Sequence, residues 1–99
     1  MANYSVARAA NKTLTTTAVD VVTFTSPASR LVVSNRAVGT TIWVTMGRSP
    51  ADPVVGADNA IPVFGGTSVT IARGVPAGYI VKVVGSGDAY SVMGLPSDC

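Results

Sequence analysis

The sequence predicts an all-β fold, a single antiparallel β-sandwich or small barrel of about seven or eight strands with an N-terminal arm. Three observations carry this. First, 32 of the 99 residues are Val, Ile or Thr, whose β-branched side chains are stiff at χ1 and pack well on a pleated surface. Second, the chain has no Glu or Gln and only three Leu, so the usual material of helices is missing, and no long amphipathic helical pattern exists to cover a sheet face. A second sheet must therefore do that job. Third, Gly, Pro, Asp and Asn fall at regular intervals between apolar runs, as turns do between short strands.

The polar, Ala-rich stretch from Met1 to Asn11 has no periodic pattern strong enough to fold alone and reads as an arm, either disordered or ordered only against a partner. Lys12 to Thr17 begins a Thr-rich segment, and Val19 to Thr25 is the first strong strand, closed by Ser26-Pro27. Arg30 to Asn35 follows, with Leu31 and Val33 on one face and Arg30, Val32 and Ser34 on the other. In Thr40 to Met46, Ile42, Val44 and Met46 share one face and Thr41, Trp43 and Thr45 the opposite one, the period-two signature of a strand with one face in a core.

Gly47 to Asn59 holds two prolines and no sustained alternation, and is the longest candidate loop. Ala60 to Phe64 is a short strand whose Pro62, unable to donate to a ladder, argues for a sheet edge. Gly65-Gly66 turns the chain into Thr67 to Ala72, with Val69 and Ile71 inward. Gly74 to Gly78 turns it again, Tyr79 to Val84 is the most hydrophobic strand, and Gly85 to Asp88 is a hairpin turn. Ala89 to Met93 closes the set with Tyr90 and Val92 on one face, and Gly94, Pro96 and Asp98 belong to an irregular tail. Apolar residues on both faces of Val19 to Thr25 and Tyr79 to Val84 make those strands either central or buried against another molecule. The chain divides into an arm over residues 1–11, one domain over 12–95 and a tail over 96–99; its length suits one core and not two.

Composition excludes more chemistry than it implies. Without His, no Ser-His-Asp or Cys-His arrangement forms and general acid–base work at neutral pH loses its usual side chain, so the chain reads as a non-enzyme. One Cys and no His exclude ordinary zinc sites, and Asp52 and Asp58, six residues apart beside Asn59, read as turn formers rather than calcium ligands; no metal or cofactor is expected. The single Cys99 allows no intrachain disulfide. The net charge of +2 is spread over Arg8, Lys12, Arg30, Arg36, Arg48, Arg73 and Lys82, which is no nucleic-acid footprint. The longest apolar stretches fall far short of the roughly 20 residues a membrane helix needs, and Met1 to Ala10 lacks the pattern of a signal peptide. Gly85-Ser86-Gly87 precedes a strand, so no helix N-terminus is available there for phosphate.

The order of segments resembles a group of small structural proteins of tailed bacteriophages. The residues that carry the resemblance are Arg30-Leu-Val-Val-Ser-Asn-Arg36, Thr41-Ile-Trp-Val-Thr45, a Pro/Asp/Gly loop with Val54-Val55-Gly56, Ala60-Ile-Pro-Val63, and Val81-Lys-Val-Val-Gly-Ser-Gly-Asp-Ala-Tyr-Ser-Val-Met-Gly94. It covers roughly Asn11 to Leu95. What it implies is a virion component assembled in the host cytoplasm, a capsid decoration (cement) protein on the outer surface of the head. The implied partner is the major capsid protein, and the implied state a homotrimer. The contact residues expected on this reading are Met1, Ala2, Asn3, Tyr4, Val6 and Arg8 of the arm, with Arg48, Asp52 and Asp58 of the long loop. The alternative is a tail, fibre or baseplate module with a glycan- or receptor-binding role, for which Trp43 is the stacking candidate; the packing role of Trp43 on the second face of its strand competes with it.

Overall fold

In a computed structural model, which describes residues 2–14, 19–54, 56, 58, 60–85 and 89–95, the chain forms nine strands in two sheets, with no helix among those residues. The strands are β1 (Ala2–Val6), β2 (Ala9–Thr13), β3 (Asp20–Phe24), β4 (Ala28–Asn35), β5 (Thr41–Gly47), β6 (Ile61–Phe64), β7 (Ser68–Val75), β8 (Tyr79–Val84) and β9 (Ala89–Leu95). The five-stranded sheet has the order β1-β3-β8-β5-β6 and the four-stranded sheet the order β2-β9-β4-β7. Met1, Thr15 to Thr17, Asn59, the tip of the expected Gly85 to Asp88 turn and the tail with Cys99 lie outside the described residues.

The alternation in the sequence sets which face of each strand is buried. Val22 and Phe24 of β3, Ile42 and Val44 of β5, Val63 of β6 and Val81 and Val83 of β8 meet Leu31 and Val33 of β4, Val75 of β7 and Tyr90 and Val92 of β9 in one core to which both sheets contribute. With a core shared in this way, each sheet supplies the cover the other needs. The doubly apolar strands β3 and β8 prove to be interior strands of their sheet. Pro62 lies on edge strand β6, where a missing donor costs no ladder bond to a further strand.

Several expectations are corrected. Among the described residues there are nine strands, and the extra ones come from the segment expected to be an arm. β1 pairs with β3 in parallel, and β2 pairs with β9. Tyr4 and Val6 alternate inward and pack against the core while Asn3 and Ser5 face out, but the alternation is too short, and too soon broken at Ala7-Arg8, to announce a strand. β2 is an edge strand made of small and polar residues whose inward contribution is Ala10. It is steadied from inside by Lys12, whose ammonium lies 4.4 Å from the centre of the Tyr4 ring. The last strand also runs beyond Met93: Gly94 pairs with Leu31 and stands within van der Waals reach of the core instead of starting the tail.

β7 continues to Val75, past the expected end at Ala72, with Arg73 and Val75 pairing to Arg30 and Ala28, and its pairing with β4 shifts register between Leu31 and Val32. The bulge lets consecutive residues Ile71 and Ala72 both pack against the core, which a regular period of two forbids. The long segment after β5 folds back over the outer face of the five-stranded sheet. Thr45 Oγ1 donates to the Ala51 carbonyl at 2.6 Å, Lys82 Nζ pairs with Asp52 at 2.9 Å, and Pro53 is buried.

Candidate functional site

The least satisfied apolar surface gathers where β4, β5 and β6 end. Its organiser is Asn35, the last residue of β4, which is 1% exposed. The Asn35 amide nitrogen donates to the carbonyls of Thr40 at 3.2 Å and Val63 at 3.1 Å, and its Oδ1 accepts from the backbone N–H of Ala37 at 3.0 Å. An Asn side chain closing a turn onto the backbone two residues on is a local substitute for ladder bonds. The Asn35 backbone meanwhile bonds Thr67 O and Gly66 N–H. One residue thus ties the loop 36–40 to β6 through its side chain and to the Gly65-Gly66 turn through its backbone.

This tie holds two large apolar side chains in solvent. Val38 is 83% exposed and Phe64 is 61% exposed. The Val38 backbone lies directly against Gly65, the residue after Phe64. By register, Phe64 stands opposite Thr41 and Pro62 opposite Trp43, both pairs on the outer face of the five-stranded sheet, with Val84 next to Trp43 on its other side. Trp43 is half-buried and does not enter the core. The apolar edge therefore comprises Val38, Phe64, Pro62 and Trp43. Sequence reading weighed Trp43 but passed over Val38 and Phe64; the one available signal was an apolar residue inside a turn, and the Gly65 contact that pairs it with Phe64 spans residues distant in sequence.

The residues expected to make contacts are dispersed. Met1 is outside the described residues, and Ala2 is known here by its pairing with Asp20. Asn3 is exposed on the outer face, whereas Tyr4 and Val6 pack on the chain's own core. Arg8 is exposed where the chain passes between sheets, and its carbonyl accepts from Gly94 N–H at 2.6 Å. Arg48 and Asp58 are exposed, and Asp52 is engaged by Lys82 on the outer face of the sheet that also carries Asn3. Among the described residues no group of three or more acidic or cysteine side chains could hold a metal ion.

One buried polar pair is bonded across the core. The Tyr90 hydroxyl of β9 donates to Asp20 Oδ2 of β3 at 2.8 Å, a bond that joins the two sheets, with both residues almost fully buried. Burial first, and then the hydrogen bond and the charge of Asp20, push the Tyr90 hydroxyl well above the ordinary tyrosine value of 10.0. Such a group stays protonated and holds structure; neither residue opens to solvent, so no substrate reaches them.

Comparison with known proteins returns no matching family model, no matching curated protein and no matching solved structure.

Proposed function

We propose that the chain is a virion structural protein, a β-sandwich capsid decoration module that binds the outer surface of a bacteriophage head and stabilises contacts between major capsid subunits. The support is the segment order that resembles small phage structural proteins, joined to an arrangement suited to holding other proteins in place. The observation that carries the reading is the apolar edge of Val38, Phe64, Pro62 and Trp43, presented by a buried Asn35 clamp. Large apolar side chains presented to water from a backbone fixed by hydrogen bonds favour a protein contact, since that backbone needs no further ordering on binding. Association as a homotrimer about a local symmetry axis belongs to the same proposal, with open edge strands available on both sheets.

Electron microscopy of intact particles tests it. Density for the chain on the head is expected, and replacing Val38 and Phe64 together by Asp should lower its occupancy at least about tenfold, the loss of roughly 1.4 kcal/mol of contact energy or more. Both side chains are exposed, so the folded protein should melt near the wild-type temperature. Density in the tail, or full occupancy of the doubly substituted chain, overturns the proposal.

A second reading, a glycan-binding tail, fibre or baseplate module, is favoured by one observation, the outward placement of Trp43. The two readings separate on Trp43→Ala. If the ring serves packing between Pro62 and Val84, the variant loses about 1–2 kcal/mol in urea denaturation, the value of a half-buried large apolar side chain. Unchanged stability with loss of host-cell adsorption would instead make Trp43 a ligand platform.

A further inference from the structure

On the outer face of the four-stranded sheet, Arg30 of β4 and Arg73 of β7 are register partners. Their neighbours Leu31 and Ala72 pack on the core, which places both arginines on the opposite face. Like charges directly opposite on adjacent strands repel. Among the described residues nothing on the sheet relieves this pair: the cross-strand neighbour of Arg30 on its other side is Leu95, and the exposed Asp58 lies between β5 and β6 of the other sheet. Among the described residues Asp20 is taken by Tyr90 and Asp52 by Lys82. Moreover Arg30 Nε is buried and has no hydrogen-bond partner among the described residues. A desolvated donor on a cation with nothing to donate to is an unfavourable arrangement in the free molecule, and a counter-charge bound at the outer ends of the two guanidinium groups would offset it.

The chemistry of that acceptor follows from the surroundings. Two guanidinium forks suit a planar, bidentate anion. The next rows of this face carry Val32, Met93, Thr70 and Ala9, then Ser34, Ser68, Ser91 and Asn11, with Ser34 and Ser68 bonded to each other at 2.7 Å. Between the Arg30–Arg73 pair and Arg36, which bonds the Tyr90 carbonyl at the far end of the sheet, this is an apolar and hydroxyl surface, and a nucleic acid or other polyanion would need a basic track. A protein surface that inserts a single acidic side chain fits it.

We propose that Arg30 and Arg73 form a clamp for one Asp or Glu carboxylate of a partner protein. The clamp lies on the other sheet from the apolar edge, and testing it requires no virion. The probes are the peptide acetyl-Gly-Glu-Gly-amide, its Gln counterpart and inorganic phosphate, followed through the Arg30 Nε–Hε resonance of the full chain at constant ionic strength. The Glu peptide should shift that resonance and the Gln peptide should not. Arg73→Lys, which keeps charge and fold but loses the fork, should weaken Glu-peptide binding about tenfold. Equal responses to Glu and Gln, or unchanged affinity in Arg73→Lys, overturn the clamp. Phosphate binding ten times tighter than the Glu peptide overturns its assignment to a protein carboxylate. A shift of the Arg30 resonance in the free Asp98→Asn chain, opposite in sign to the shift the peptide causes, would show that the chain fills the clamp itself, which also overturns it.

Discussion

Gly65→Ala is expected to destabilise the fold by about 3 kcal/mol and lower the melting midpoint by about 15 °C, although the substitution adds a single methyl group on the surface side of a turn. A Cβ on Gly65 would lie 2.5 Å from the Ala37 carbonyl oxygen, 2.7 Å from Gly39 N and 2.9 Å from Val38 Cα. All three are backbone atoms, so no rotamer change relieves the contact; the loop that presents Val38 must move off β6, and the apolar edge opens with it. Gly66→Ala is the control. Its φ of +79° disfavours a side chain, but the nearest atom is Val38 Cγ2 at 3.7 Å, so its cost should be the left-handed penalty alone, about 1–2 kcal/mol. Thermal denaturation of the two variants decides the matter: equal losses would mean that the close approach of loop and turn contributes nothing.

Tyr90→Phe should cost about 2–3 kcal/mol, because it removes the donor from a carboxylate that stays buried between the sheets. The asymmetry is the informative part. Replacing both partners, as Asp20→Val with Tyr90→Phe, should cost less than the sum of the single changes by about 2 kcal/mol, since no orphaned charge remains. The pH dependence has a definite sign. The folded-state value of Tyr90 is raised, so the unfolded chain loses its proton first, near 10.0, while the folded chain keeps it. The contribution is complete below that pH, and above it each unit of pH removes about 1.4 kcal/mol from wild-type stability relative to Tyr90→Phe. Parallel alkaline stability curves for the two proteins would refute a protonated, core-bound Tyr90.

How far the sequence could be read varied with burial. β3, β4, β5, β8 and β9 each have one face in the core, and in β4 and β5 the apolar pattern marks faces correctly: Leu31 and Val33 inside against Val32 and Ser34 outside, Ile42 and Val44 inside against Trp43 outside. β1 and β2 are edge strands with half their residues in water, so Asn3, Ser5, Asn11 and Thr13 dilute the pattern until it resembles an arm. The bulge in β7 hides for a different reason, since it is defined only against its partner β4. The candidate surfaces were less legible still. Val38 and Phe64 look like scattered apolar residues until Gly65 brings the loop onto the turn, and Arg30 and Arg73 look like ordinary dispersed charge until register sets them opposite each other.

The sequence by itself determined that this protein is all-β, which face of each central strand is apolar, and that the side chains of His-dependent catalysis are missing, because these follow from residue type and a period of two within a few neighbouring positions. Tertiary structure alone decided that the N-terminal segment completes both sheets, that Asp20 and Tyr90 meet across the core, and which exposed groups stand together. Strand pairing is made by backbone groups common to all residues but proline, and it joins positions as far apart as 9 and 93. The partners are therefore selected by packing of the whole chain and are written in no local stretch of it.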